Sequence, residues 1–225
     1  MRLDSKALGE IVNESNRVEA FSDGVFAIAI TLLILEIKVP LHEGSHLWQA
    51  LGAQWPSYAA YVVSFLIIGI MWANHHTVFS FVARVDRPLL FLNLLLLLVV
   101  AALPWPTALL AEYLREGGAS HVAAAVYSGF MAAHGITFGL LWWWLTRTGH
   151  LFDERVDVAA ARRMRLRFAL GNLVYPLLVG LSFVSAPVTL AVHGLMAVYY
   201  GVNQLPVPVR EPMVEAVAAA DPALD

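Results

Sequence analysis

Residues Arg17–Pro40 read RVEAFSDGVFAIAITLLILEIKVP. A charged lead-in of Arg17 and Glu19 runs into Phe21-Ser22-Asp23-Gly24, and no further formal charge follows before Glu36 and Lys38. The pattern predicts a helix of membrane-spanning length that carries a carboxylate just inside its first turn. An ionisable group at membrane depth is costly, so it is expected to be paired or functional. The rest of the chain is built in the same way. Its 225 residues are 59% hydrophobic and 14% charged, whereas a soluble domain is nearer half apolar and a quarter charged. Runs such as LLFLNLLLLLVVAAL (Leu89–Leu103) are too long and unbroken for strands or an amphipathic surface helix. The chain reads as an all-α, polytopic membrane protein.

Six spans are expected, at about 20–39, 57–81, 89–111, 121–146, 166–185 and 187–205. A backbone in lipid must satisfy its own hydrogen bonds, and these runs exceed barrel-strand length, so all six should be helical. With the N-terminus cytoplasmic, twelve Lys and Arg residues fall on inner segments and only Lys38 and Arg115 on outer ones. That bias predicts both termini inside. Residues 1–205 form one six-helix domain in this reading, and the proline-broken segment 206–225 forms a disordered cytoplasmic tail. A short surface helix is expected around Ser45–Ala53, with Trp48 and Trp55 as interfacial anchors, and Trp142, Trp143 and Trp144 are read as anchors at the inner face. Pro104 and Pro106 should kink or end span three. The arginine-rich stretch Thr146–Arg167 reads as an amphipathic extension lying against anionic lipid headgroups.

Several functions are disfavoured by the same composition. A net charge of −3 gives no basic balance for nucleic acid, and the absence of cysteine excludes disulfides and thiolate metal sites. The polar N-terminus predicts no cleavable signal peptide before the first span. No nucleotide loop, nucleophile elbow or HExxH motif is present, so no enzymatic activity is expected. His75 and His76 are adjacent and diverge by 100° on a helix, which does not favour a metal site, and no cofactor is expected.

Depth and helical phase give the polar residues their meaning. Asp23, Trp72, Asn74, His75, His76, Asn93, Asn172 and Asn203 all fall in the inner half of their spans, where they could meet at one level. His134 and His193 stand apart and are read as single helix-to-helix hydrogen bonds. At 100° per residue, Phe21, Gly24, Ile28, Thr31, Leu32 and Leu35 share one face of the first helix, while Ser22 and Asp23 point more than 100° away from Ile28. Asp23 is therefore expected to tie span one to span two through Asn74, His75 or His76. The Ile28 stripe is apolar apart from the Thr31 hydroxyl, which by itself is compatible with ordinary helix packing.

Arg17-x-x-x-Phe21-Ser22-Asp23-Gly24, opening an apolar span that ends LEIKVP, resembles the signature of the transmembrane protein 175 family of potassium channels in its prokaryotic form. Trp72-x-x-His75-His76-x-x-Phe79 is similar to that family's second hallmark. The matching motifs lie within about residues 17–82. The resemblance implies a homotetramer in the cell membrane, a bacterial inner membrane, with a central pore lined by the first helix and no TVGYG filter. Carried over by position, Ile28, Leu32 and Leu35 would form apolar gating rings and Thr31 a hydroxyl ring favouring potassium. Arg17, Ser22 and Asp23 would hold the first helix against the second through groups such as His75. The implied activity is passage of potassium and other monovalent cations with modest selectivity over sodium, and proton permeation is associated with animal members. Two other readings stay open on sequence: a proton-coupled secondary transporter using Asp23, His75 and His76, and a membrane assembly protein without permeation.

Overall fold

A computed structural model describes residues 5–40, 46–203 and 206–210. Among them the chain is helical throughout, with two isolated antiparallel bridges, Val82 to Phe152 and Val156 to Val209, as its extended pairing. The helices are α1 (Ser5–Leu32), α2 (Leu47–Ala53), α3 (Trp55–Phe79), α4 (Arg87–Ala102), α5 (Pro104–Tyr113), α6 (Gly117–Thr148), α7 (Val158–Asn172), α8 (Val174–Ser182) and α9 (Ala186–Val202). A 3₁₀ turn over Leu33–Glu36 continues α1.

Four segments are long and apolar enough to cross a membrane: Ser15–Glu36, Trp55–Phe79, Arg87–Tyr113 and Gly117–Thr148. They coincide with the first four expected spans. The region expected as span five is instead divided into α7 and α8 at Leu173, and α9 is a shorter apolar helix. The expected surface helix is α2, whose Trp48 is 88% exposed.

The boundaries follow from local chemistry. Asp86 caps α4 by accepting from the Leu89 amide at 2.8 Å, with Pro88 in the first turn, where a missing N–H costs nothing. Span three breaks at Pro104, which has no N–H to continue the ladder, and the Leu103 amide takes the Val100 carbonyl instead at 3.1 Å. Asp157 caps α7, and the Ala160 amide, followed by that of Ala159, holds its carboxyl below the usual carboxylate range against an opposing burial effect. Gly149 ends α6 at φ 70°, a left-handed position that favours glycine.

The long α6 packs against α4, α5, α7, α8 and α9, and its own Tyr127, Leu141, Trp142 and Leu145 are fully buried. Adjacent tryptophans on a helix point 100° apart, so the three at its end do three different things. Only Trp143 retains the exposed position of an anchor, beneath the Arg147 guanidinium at 5.0 Å. Trp142 is a core residue with Nε1 donating to the Ala161 carbonyl at 3.3 Å, and Trp144 donates to both Asp86 oxygens at 3.1 Å. Two arginines read as lipid-facing bond the end of α6 as well. Arg162 donates to the Thr146 carbonyl at 2.8 Å and Arg165 to the Thr146 hydroxyl at 2.7 Å, placing positive charge at the α6 C-terminus.

The ends of the helices near Ser15 are held by a clasp of loops. Ala83 and Arg84 donate to the Leu151 carbonyl, Asp153 to that of Phe81, and Ser15 to that of Val82 at 2.6 Å. The segment read as a disordered tail enters the described residues only over 206–210, which pair with this clasp: Asp157 donates to Pro208 and Arg210 to Arg155. Residues 211–225 lie outside those described.

At Gly135, the α6 backbone is met by the side chains of Asn172 and Tyr175. Asn172 donates to the Gly135 carbonyl at 3.0 Å, and a Cβ at Gly135 would collide with the Asn172 amide oxygen. Gly135→Ala should therefore lower stability by about 1–3 kcal/mol. Thermal unfolding of the detergent-purified protein measures this, and an unchanged midpoint would mean that α7 yields without cost.

Candidate pore-lining face and its anchoring network

The first helix has two unlike faces. Ser22, Phe26 and Ala29 are buried against α3 and α4, and Leu33 continues that covered face in the 3₁₀ turn against α3 and α5. Phe21, Ile28, Leu32 and Leu35 are 58, 61, 40 and 71% exposed on the opposite face, with Gly24 and Thr31 among them. A helix this apolar would bury both faces if the fold could cover them, so the uncovered stripe is a contact surface for lipid, another chain or a pore. The Thr31 hydroxyl donates to the carbonyls of Ala27 and Ile28 at 2.8 and 2.9 Å. With its proton committed to its own helix, the oxygen presents lone pairs to the open face, which suits a cation.

The covered face is fixed by a directional chain of hydrogen bonds. Asn93 of α4 donates from Nδ2 to Ser22 Oγ at 2.9 Å, and Ser22 donates in turn to the Val18 carbonyl at 2.8 Å. Asn93 Oδ1 can only accept, so His75 Nε2, 2.8 Å away, carries the donated proton. That leaves His75 Nδ1 as the bare nitrogen, and it has no partner among the described residues. The imidazole is held between Phe26 at 5.3 Å and Phe79 at 4.2 Å, the latter stacked within 17°. One amide on α4 thus joins α1 to α3 inside the bundle.

The expected partners of Asp23 are corrected by the geometry. Asp23 does not bond Asn74, His75 or His76; it accepts from Trp72 Nε1 at 2.9 Å. Because α3 runs antiparallel to α1, one turn back along α1 matches one turn forward along α3. Asp23 therefore meets Trp72, while Glu19 meets His76 at 2.8 Å. Asn74 instead lines a cavity of about 280 Å³ with His134, Asn172, Tyr175 and Asn203. Arg17 is exposed and makes no hydrogen bond or ion pair among the described residues, so the interhelix role implied for it has no contact there. His193 bonds Ser128 across helices at 3.0 Å as expected, but His134 Nε2 has no hydrogen-bond partner among the described residues and its ring stacks on Phe138 of the same helix.

Sequence reasoning named Glu19 only as part of a charged lead-in, placed Trp72 in the inner polar cluster without pairing it to Asp23, and gave Asn93 no specific partner. Two i, i+4 pairs, Glu19/Asp23 and Trp72/His76, carried the signal for the first two. Asn93 announced itself as the single polar residue in a run of leucines.

A family model described as "Endosomal/lysosomal potassium channel TMEM175" matches residues 17–104. A potassium channel of Streptomyces collinus is 76% identical over 201 residues, covering 89% of this chain and 98% of that one. The crystal structure of a lysosomal potassium-selective channel TMEM175 homolog from Chamaesiphon minutus superposes with a TM-score of 0.76 at 42% identity, over 85% of this chain and 98% of that one. An endosomal/lysosomal proton channel TMEM175 of Gallus gallus is 43% identical over 109 residues, 44% of this chain and 22% of that one. These relatives are channels, not enzymes.

Removal of the Asn93 amide should strand His75 Nε2 in an apolar interior and cut the link from α4 to Ser22, whose hydroxyl keeps its bond to the Val18 carbonyl. Asn93→Ala is expected to lower stability by about 1–3 kcal/mol. A thermal unfolding midpoint in detergent equal to that of the unaltered protein would show that the bridge does not hold α1 in place.

Proposed function

Because the chain belongs to the TMEM175 family of potassium channels, we propose that it is a potassium-permeable channel in which four copies set the open face of α1 around a central pore. The observation that carries this reading is the division of α1: Ser22 and Asp23 of the motif paired with α4 and α3, and an uncovered apolar stripe bearing one hydroxyl. Six spans with both termini cytoplasmic, α8 and α9 being part of them, complete the subunit, as the distribution of basic residues supports. The cell membrane is its proposed location.

The proposed mechanism follows from the side chains on that stripe. Rings of Ile28, Leu32 and Leu35 narrow the pore with groups that cannot hydrogen-bond water, so the constriction dries and blocks ions without a plug. Opening spreads or rotates the four α1 helices until the rings wet. A ring of Thr31 oxygens offers the permeating cation partial replacement of its water and supports a modest preference for potassium over sodium. Protons can pass along water that enters such a pore.

A proton-coupled transporter would be better served by Asp23, His75 and His76 on one connected path. His75 instead belongs to the buried Ser22–Asn93 chain and is not joined to Asp23 and His76 by a hydrogen bond, an arrangement that supports the channel.

In potassium-loaded liposomes, Ile28→Asn should raise valinomycin-independent potassium efflux severalfold by wetting the ring. Unchanged or slower efflux would remove Ile28 from the gate. Thr31→Ala should bring potassium and sodium efflux rates closer together while tetramers still form on size-exclusion with light scattering; a preserved ratio would assign selectivity elsewhere.

A further inference from the structure

We propose that Glu19, Asp23 and His76 form a binding site for a divalent first-row transition metal, and that the ion staples the first helix to α3. The ligand atoms of these three residues all lie within 4.8 Å of one another. Glu19 and Asp23 are four residues apart, on one face of α1, and His76 meets them from α3. Ligands at about 2.0–2.2 Å from one ion are separated by roughly 3–3.5 Å, so side-chain rotation alone closes the set.

The donor chemistry selects the ion. One imidazole with two carboxylates suits zinc, manganese, iron, cobalt or nickel, whereas magnesium and calcium prefer oxygen alone. The surroundings act as a metal's outer shell does. Trp72 stacks on the His76 ring at 5.7 Å and 21°, and its Nε1–H holds Asp23 Oδ1 at 2.9 Å, fixing both ligands while leaving Asp23 Oδ2 to bind.

Charge points the same way. Among the described residues neither Glu19 nor Asp23 forms an ion pair with Lys or Arg. Among the described residues the group that meets Glu19 is the His76 imidazole, whose Nδ1 lies 2.8 Å from Glu19 Oε1. The His76 side chain is 52% exposed and that of Glu19 19%, so an ion can enter from water and keep water in its remaining positions. Adjacent His75 takes no part, being committed to Asn93. The consequence for gating rests on the pore reading above; the binding itself does not. Asp23 is five residues before Ile28, about 7.5 Å along the axis, so an ion here would pin α1 just below the proposed gate and oppose its spreading.

The test begins with tag-free, chelator-washed protein in detergent, titrated with zinc by calorimetry and with cobalt by visible absorption. One ion per chain, not displaced by millimolar magnesium, is expected, and both signals should be lost in His76→Gln and weakened at least tenfold in Glu19→Gln. Each variant is first checked for an ordered thermal transition in metal-free buffer. No binding below millimolar zinc, or binding unaltered in both variants, would overturn the site. In liposomes, zinc should slow potassium efflux severalfold, and the ratio of rates with and without zinc should return to unity in Glu19→Gln. Stoichiometric binding without that change would overturn the gating role, whereas binding by a protein that passes no potassium in any state would instead overturn the pore.

Discussion

The arrangement depends on one buried amide. Asn93 is the only group on α4 that can both donate to α1 and accept from α3 at the same depth, and it does both within 2.9 Å. In an interior made of leucine and phenylalanine, packing alone does not fix the rotation of α1, because one apolar face packs about as well as another. A directional bond with no alternative partner supplies the missing specificity. With Ser22 held inward, helical geometry alone sends Ile28, Leu32 and Leu35 outward.

The remaining polar contacts extend that registration along the helix pair. Trp72 to Asp23 and His76 to Glu19 set the vertical register of α1 on α3, one turn apart. Below them Ser15 bonds the Val82 carbonyl, which joins α1 to the clasp of loops. A second buried polar junction, Thr107 and Tyr127 on Ser64, connects α3, α5 and α6 on the other side of the bundle. Hydrogen bonds are thus spent at helix crossings, and the surfaces between them are left to dispersion.

Helical content, the first four membrane-length segments and the two faces of α1 were legible in the sequence, because each is a matter of period and run length. Partners were not. The sequence places Asp23 and His76 at similar depth but is silent on how far α3 slides along α1, and a slide of one turn exchanges His76 for Trp72. The roles of Trp142, Arg162 and Arg165 were missed for a related reason: amphipathic residues suit both an interface and a buried helix end, and only the neighbour decides. The break of the fifth region at Leu173 has no strong sequence mark beyond Pro176, which has no N–H to offer the Asn172 carbonyl.

The open stripe of α1 has a bearing on how such a subunit comes to exist. In water an uncovered row of isoleucine and leucine would drive aggregation, but among acyl chains it costs nothing, because lipid tails are as apolar as the stripe. A lone copy is therefore a comfortable resident of the bilayer, and nothing compels it to find others through hydrophobicity. In the proposed tetramer, what draws copies together would be fit: Gly24 has nothing within 4 Å of where a Cβ would stand, which leaves room for another backbone against α1 there. The surface that makes the newly inserted chain tolerable to lipid is the same one that would make a closed pore intolerable to water.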